Sequence, residues 1–423
     1  MNIDKKLKII DSFIQKYEIL DKFRTLKTIF NDEPKFYMSN TVLFSEMFLD
    51  KLRKNNYYFL PKNNSYGTSF GKFEKLSELK SKAEAIERFF LGTIEKNELV
   101  DFNQLDNIQK EMTKKYFGDF FEDKSFIEKT KLVKGFFKKN ENHLESVFIP
   151  YQILYINQIE KFKTRFRFEQ NSNGAAFGFT LDEALENALF EAIERDVVVN
   201  TFIAGIGVFE ITNFSEEVRS IINYFNQYRL KIKVFQFQNH FDLNVVGVYI
   251  IDDYSDIYLS FGYKCGRNLN KTILGAIFEA FHSRIYTKTN YKSFKRFRKE
   301  KINELKDSIY FFSKKKNGHQ LIKKINEIKN RTLKFKKKIK KEKKGLEFEY
   351  FYYIFNQSLS RKNFFVVKVI VPDFNRFFLN QEDMKKIYNF EKLKEYIDNN
   401  YYDFESKCDL LFKYKKIYNL PLI

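Results

Sequence analysis

The chain reads as an α/β protein of α+β character, built from three related strand–glycine–helix repeats and carrying a basic helical insertion. Three observations lead there. A pattern of Gly, three residues, Gly, then twelve residues before a Glu-Ala pair occurs three times, with landmarks at 67, 71 and 84, at 174, 178 and 191, and at 262, 266 and 279. Runs rich in β-branched and aromatic residues lie between runs whose apolar residues recur at helical spacing. The 423 residues include 51 Phe and 26 Tyr and are 43% hydrophobic, which is ample for a packed core and excludes wholesale disorder. A chain of this length forms one large domain or two to three ordinary ones.

Taken in order, residues 5–31 place Leu7, Ile10, Phe13, Ile14 and Tyr17 at helical spacing, which predicts an N-terminal helix. The first repeat, GTSFGKFEKLSELKSKAEAIER, occupies 67–88. The run SVFIPYQILYI at 146–156 reads as a strand, as do IKVFQFQNHFDLNVVGVYII at 232–251 and NFFVVKVIV at 363–371, the last closed by Pro372. The second repeat, GAAFGFTLDEALENALFEAIER, fills 174–195, and the third, GYKCGRNLNKTILGAIFEAFHSR, fills 262–284. Each copy is expected to make a tight glycine turn followed by an amphipathic helix. Thr180 and Glu183 form a capping-box signature at the head of the second helix.

The formal charge is +20, which invites a nucleic-acid reading, but its distribution argues otherwise. Residues 291–345 carry 22 Lys and Arg against Glu300, Glu304, Asp307, Glu327 and Glu342, a net of +17, so the rest of the chain holds only +3. Within that segment Ile and Leu are spaced for a narrow apolar stripe, and a solvated helical insertion or hairpin is the expected form. Nucleic acid is therefore disfavoured as a partner. The opening MNIDKKLKIIDSF lacks the apolar stretch of a secretory signal, and the apolar run Val245–Ile251 is too short to span a bilayer, so no membrane association is expected. Two cysteines, Cys265 and Cys408, with four scattered histidines give no zinc spacing and predict a reducing, cytoplasmic setting.

The repeats carry the chemistry. Glu84, Glu87 and Arg88, and likewise Glu191, Glu194 and Arg195, fall at i, i+3 and i+4 on one helix face. Singly, such residues are ordinary surface ion pairs worth a few tenths of a kcal/mol. Behind a thrice-repeated glycine pair they read as an inward-facing set, and buried carboxylates need either the arginines or cations to neutralise them. Two helices presenting two carboxylates each could hold Mg²⁺, a hard ion that bridges to nucleotide phosphates, leaving the arginines to pair with phosphate oxygens. The third copy keeps Glu279 but has His282 where the others have Glu, followed by Ser283 and Arg284. No Walker, Rossmann or kinase motif competes, and no Ser-His-Asp or Cys-His array emerges. His143, His240 and His319 have no motif around them, and Cys265, between two repeat glycines, is expected to pack.

The stretch NSNGAAFGFTLDEALENALFEAIERD (Asn171 to Asp196) resembles the core signature of the YcaO family. The copies at 67–88 and 262–284 resemble its other two nucleotide-binding motifs, in order, and VVKVIVPDF (Val366 to Phe374) is similar to its late strand. The likeness covers roughly residues 60–380. It implies a YcaO-type fold and an ATP- and Mg²⁺-using enzyme that activates backbone amides of a ribosomally made precursor peptide. Cyclodehydration of Cys, Ser or Thr to an azoline is the favoured reaction, with thioamide or amidine formation by the same activation as alternatives and a non-catalytic binding partner as a third. By resemblance, Glu84, Glu87, Glu191 and Glu194 are the metal carboxylates. Glu84, Arg88, Ser172, Asn173, Glu183, Glu191, Arg195, His282 and Arg284 are the nucleotide contacts. His282 departs from the family's usual Gln. Ala176 and Phe179 depart from its usual polar residues, and Pro421 is the one proline retained where azoline-forming members end in a proline-rich tail near the active site. Residues 1–60 are expected to be an N-terminal helical region and 61–423 the catalytic domain, interrupted by 291–345. Since 1–60 look too short for a leader-binding domain, the resemblance implies a separate E1-like partner and, as a further partner, a flavin dehydrogenase; a homodimer is compatible with it.

Overall fold

In the computed structural model, helix α1 (Ile3–Tyr17) opens on Asn2, whose side chain accepts the Lys5 N–H at 2.9 Å, and buries Leu7, Ile10, Phe13 and Ile14. The structure describes residues 1–43, 57–59, 65–121, 123–140, 143–156, 171–298, 305–334, 349–355, 363–372 and 374. The expected N-terminal helix ends well short of residue 31. Glu18 takes the left-handed conformation (φ 51°, ψ 38°), closing the helix, and strand β1 (Leu20–Lys27) follows.

The chain divides into two compact units. The first comprises Met1–Phe30, Lys35–Ala192 and Glu347–Pro372; the second comprises Asn31–Pro34, Ile193–Leu346 and Asp373–Ile423.

In the first unit, β1 pairs antiparallel with β2 (Tyr37–Leu43), which pairs with β4 (Ser65–Gly71). A short β3 (Tyr57–Phe59) pairs with β5 (Thr93–Glu95). Helix α2 (Glu74–Leu91) lies against β4, and Ser81 Oγ donates to Gly67 O at 2.9 Å. A larger antiparallel sheet runs in the order β6 (Val100–Asp101), β7 (Lys131–Asn140), β14 (Tyr350–Ile354), β15 (Phe365–Ile370) and β9 (Ala175–Gly178), with β8 (His143–Pro150) also paired to β7. Helix α3 (Asn107–Phe117) opens on a capping box between Asp106 and Gln109. The core joining these elements is aromatic: Phe13, Phe90 and Phe364 meet within 5.8 Å, and Phe117 and Phe137 pack on Phe351. The run at 146–156 is strand only to Pro150. Tyr151–Leu154 then form one helical turn, buried throughout, because Pro150 has no N–H to continue the ladder and suits a helix start.

The second unit is built on the antiparallel sheet β10 (Val208–Ile211), β11 (Lys231–Phe237), β12 (Asn244–Ile251) and β13 (Leu259–Gly266). The apolar run 232–251 is thus a hairpin, its two strands separated by residues 238–243. Helix α4 (Leu181–Ala204) carries the chain from the first unit into the second. Helices α5 (Glu216–Asn226) and α6 (Leu269–Thr289) belong to the second unit, Phe225 meeting Phe281 edge-on at 5.4 Å.

The Lys-rich segment forms α7 (Tyr291–Arg296), α8 (Leu305–Ser313) and α9 (Lys315–Lys334). The stripe is real: Gly318, Leu321, Ile325, Ile328 and Thr332 are buried along α9. The segment is more than a solvated appendage, however. Thr332 Oγ1 accepts the N–H groups of Gly207 and Val208 at 2.8 and 3.1 Å, so α9 satisfies backbone at the start of β10, while Phe294, Ile309 and Tyr310 form a buried cluster with Ile257.

The repeat glycines lie mainly on strands rather than in tight turns. A Cβ on Gly67 would sit 1.8 Å from Ser81 O and 2.6 Å from Ala85 N; on Gly262, 2.7 Å from Ala276 O and 2.3 Å from Ala280 N. Both first glycines therefore meet the helix fourteen and eighteen residues on, and Gly71, Gly178 and Gly266 each meet a small residue six on: Ser77, Ala184 and Thr272. The spacing read from the sequence is that of a helix folding back onto its own strand. Gly174 alone differs, turning with φ 72° and pressing on Val369 O, which a Cβ would approach to 2.4 Å. Among the described residues, no helix is long and apolar enough to cross a membrane.

Candidate active site

Within the first unit, the fold-back of α2 onto β4 brings Glu84 to the strand, where its Oε2 accepts the Thr68 N–H at 3.0 Å. Its Oε1 lies 3.7 Å from Arg88 Nη2 one turn along. Burial works against the charged form of Arg88, yet Glu87, Glu84 and Glu191 overcome it and raise the guanidinium pKa. Three of the four expected metal carboxylates thus share one cationic neighbour.

Thr180 caps the helix as Thr180-x-x-Glu183 predicts, while the Glu183 carboxylate reaches one residue further back than the reciprocal half of a capping box, to Phe179. The Glu183 N–H donates to Thr180 Oγ1 at 3.1 Å and its Oε2 accepts the Phe179 N–H at 2.9 Å. Its Oε1 accepts Lys6 Nζ of α1 at 3.0 Å, and the same ammonium lies 4.6 Å from the Phe179 ring centroid. Ser172 and Asn173 form the turn before β9: Asn173 N–H donates to Asn171 Oδ1 at 3.0 Å, and Ala175 N–H to Ser172 O at 2.9 Å. The turn is held from β15, where Lys368, 3% exposed, donates to Asn171 O at 2.6 Å and Leu154 O at 3.2 Å. Ala176 is buried beside it.

Within the second unit, Glu194 Oε2 accepts the Cys265 N–H at 2.8 Å. Burial and then the Glu194 charge push the Cys265 thiol well above its ordinary pKa, so it packs as an inert side chain, as expected. Glu279, the third copy's counterpart of Glu84 and Glu191, pairs with Lys264 at 2.9 Å. Burial lowers the His282 imidazole to about 4, making it a neutral hydrogen-bonding group at physiological pH. Arg284 has a different part from the one expected of a phosphate contact. At 1% side-chain exposure it donates Nε to Glu33 at 2.8–2.9 Å, Nη1 to Ile257 O at 3.0 Å and Nη2 to Asp252 at 2.6 Å. Its guanidinium is engaged by the core and closed to solvent. Pro421 lies outside the described residues.

Carboxylate oxygens are the hard donors Mg²⁺ takes, so Glu84, Glu87, Glu191 and Glu194 fit the ion in kind. Among the described residues no three His, Cys, Asp or Glu side chains stand close enough to cage a metal by themselves. Mg²⁺ held by one or two carboxylates plus substrate phosphates needs no such cage.

Sequence reasoning missed several partners. Thr68 contributes only its backbone, Lys6 is one lysine among many, and Glu33 has no local pattern; Lys368 did leave a signal, as the lone cation in the apolar strand 364–371.

The family model described as YcaO cyclodehydratase, ATP- and Mg²⁺-binding, matches residues 70–375. No curated protein sequence matches the chain. Among solved structures, a YcaO protein from Methanopyrus kandleri bound with AMPPCP and Mg²⁺ is similar at TM-score 0.61 and 11% identity, covering 90% of this chain and 94% of that one. A heterocyclase in complex with substrate and cofactor matches at 0.54 and 14%, over 87% of this chain and 52% of that one. The Escherichia coli microcin synthetase McbBCD complex with pro-MccB17 bound matches at 0.54 and 15%, over 83% and 88%. At these identities the likeness establishes the fold.

Proposed function

This chain belongs to the YcaO cyclodehydratase family, an ATP- and Mg²⁺-binding family of enzymes, and from that premise we propose that it activates backbone amides of a ribosomally made peptide by phosphorylation, forming azolines from Cys, Ser or Thr. The observation that carries the reading is the set around Arg88: Glu84 fixed to Thr68 N–H, with Glu87 and Glu191 beside the same guanidinium. Bound ATP and Mg²⁺ supply the phosphoryl group and the charge neutralisation that its transfer demands. The protein's part is positioning. Glu84, Glu87, Glu191 and Glu194 are the proposed metal ligands, two of them anchored by strand N–H groups at Thr68 and Cys265. Arg88 and Arg195 are assigned to phosphate oxygens, and Ser172, Asn173 and Glu183 to the nucleotide, presented by the turn that Lys368 holds. Neutral His282 is suited to donate or accept a hydrogen bond there. Arg284 is assigned to the core instead.

The peptide's attacking side chain and the amide oxygen that leaves with phosphate belong to the substrate, so no protein nucleophile is required. A separate E1-like protein is proposed to deliver the precursor. The test is peptide-dependent release of ADP and phosphate, with loss of one water per modified residue by mass spectrometry. Glu191→Gln should lower that turnover about a hundredfold or more while Mg²⁺-dependent nucleotide binding, followed by calorimetry, weakens. Intact activity in this variant would remove Glu191 from the metal site. Exchange of oxygen for sulfur in the product would shift the assignment to thioamide formation, and incorporation of nitrogen to amidine formation.

A second reading rests on Lys6 and Phe179, which occupy Glu183 and crowd its side of the turn. In that reading the chain is a non-catalytic partner, and calorimetry would detect no ATP binding with or without peptide.

A further inference from the structure

The second unit carries a cavity of about 290 Å³ at the junction of the β12–β13 connection, α7 and the start of α9. Phe294 provides its buried wall, and four cations line it: Lys295, Arg298, Lys314 and Lys315. The lining contains one carboxylate, Asp256, and this is engaged by Lys295 Nζ at 2.7 Å and by the Tyr291 hydroxyl. The next acid, Asp253, pairs with Lys231 at 2.7 Å, its charge reaching Lys315 only secondarily. Arg298 and Lys314 both donate to Phe297 O, a neutral acceptor that relieves neither charge and draws the two cations together.

We infer that this cavity is a binding site for a small phosphate-class anion, either inorganic phosphate or the phosphoryl group of a small metabolite. The crowding of like charge is felt within the site: burial, then Arg298, then Lys295 lower the Lys314 pKa. A bound anion offsets the repulsion among these cations. The start of α9 adds to the case. Lys314 O accepts the Gly318 N–H at 2.8 Å and the first turn holds Lys315 and Lys316 with no acid, an arrangement that opposes the helix dipole unless negative charge is supplied there. The cavity is at the small end of ligand sites, which suits a compact anion; a polymer backbone would be read by an extended basic groove. This inference is independent of the proposed activity.

Calorimetric titration of the full chain at fixed ionic strength, with inorganic phosphate and with tripolyphosphate, tests it. Saturable binding of both is expected, weakened about tenfold or more in Arg298→Gln/Lys315→Gln. Lys316→Gln, beside the cavity but outside its lining, should stay within about twofold of the parent. The altered residues are exposed, and an unchanged melting temperature without phosphate shows that the fold survives. Equal affinity in the double variant, or no saturable heat with either probe, overturns the site. Binding of single-stranded oligonucleotides that tightens with length and is lost in the double variant overturns the small-anion assignment in favour of nucleic acid.

Discussion

Arg284 joins stretches of chain that are distant in sequence, and its removal would leave Asp252 without this counter-charge and Glu33, fully buried, with Lys288 alone at 2.8 Å. Arg284→Met should therefore cost about 3–5 kcal/mol, read from denaturant unfolding, and Arg284→Lys should recover only part because it lacks the planar fork. A loss below about 1 kcal/mol would mean that the cluster is not a structural keystone. Glu98 gives a pH-dependent counterpart. Burial, aided by the Glu95 charge and partly offset by the Tyr353 hydroxyl at 2.6 Å, raises its carboxyl to about 7. The folded protein thus keeps a proton that the unfolded chain releases near 4.5, so this contribution is complete below about pH 4.5 and falls away as pH rises through 7. Glu98→Gln should flatten that slope: more stable than the parent at pH 8, indistinguishable at pH 4, by urea midpoints. At this scale the sequence revealed side chains that sit in a repeat, such as Glu84 and Glu191. It concealed those, such as Glu33 and Lys6, whose partners lie 251 and 177 residues away.

For whole elements, the glycine pairs set how closely α2 and α6 approach their strands. Gly67→Ala or Gly262→Ala should push helix from strand and cost at least about 1–3 kcal/mol, whereas Gly92→Ala, whose Cβ would find nothing nearer than 3.6 Å, should change stability little. Comparable melting temperatures for all three would contradict this packing. The repeat was legible because its spacing is a geometric constant, fourteen and eighteen residues from strand to helix in the first and third copies. Its physical meaning was not legible, since a turn and a close approach call for the same residue. Strand limits misled where one residue decides, as at Pro150, and the helix at the N-terminus was read too long because nothing before Glu18 announces a left-handed stop. The Lys-rich helices showed their stripe in sequence, while Thr332, which ties α9 to Gly207 and Val208, did not stand out.

At the scale of the molecule, charge and chain path are unevenly distributed. Most of the net positive charge belongs to 291–345, which the structure places in the second unit, and the carboxylates assigned to Mg²⁺ are carried by α2 and α4. Neither unit is a continuous piece of sequence: residues 31–34 join the second while the chain on both sides joins the first. A chain starting at Lys35 would lose Glu33 together with the core residues of α1, and it should show no cooperative thermal transition by circular dichroism. A transition of parental sharpness would prove the first 34 residues dispensable. The path also sets a schedule for synthesis. Glu33 leaves the ribosome 251 residues ahead of Arg284, an interval of ~10–50 s at ~5–20 residues per second, and the first unit cannot close its large sheet until Phe365–Ile370 has emerged. Throughout that wait the large sheet lacks its late strands, so the aromatic surface they cover is exposed during synthesis.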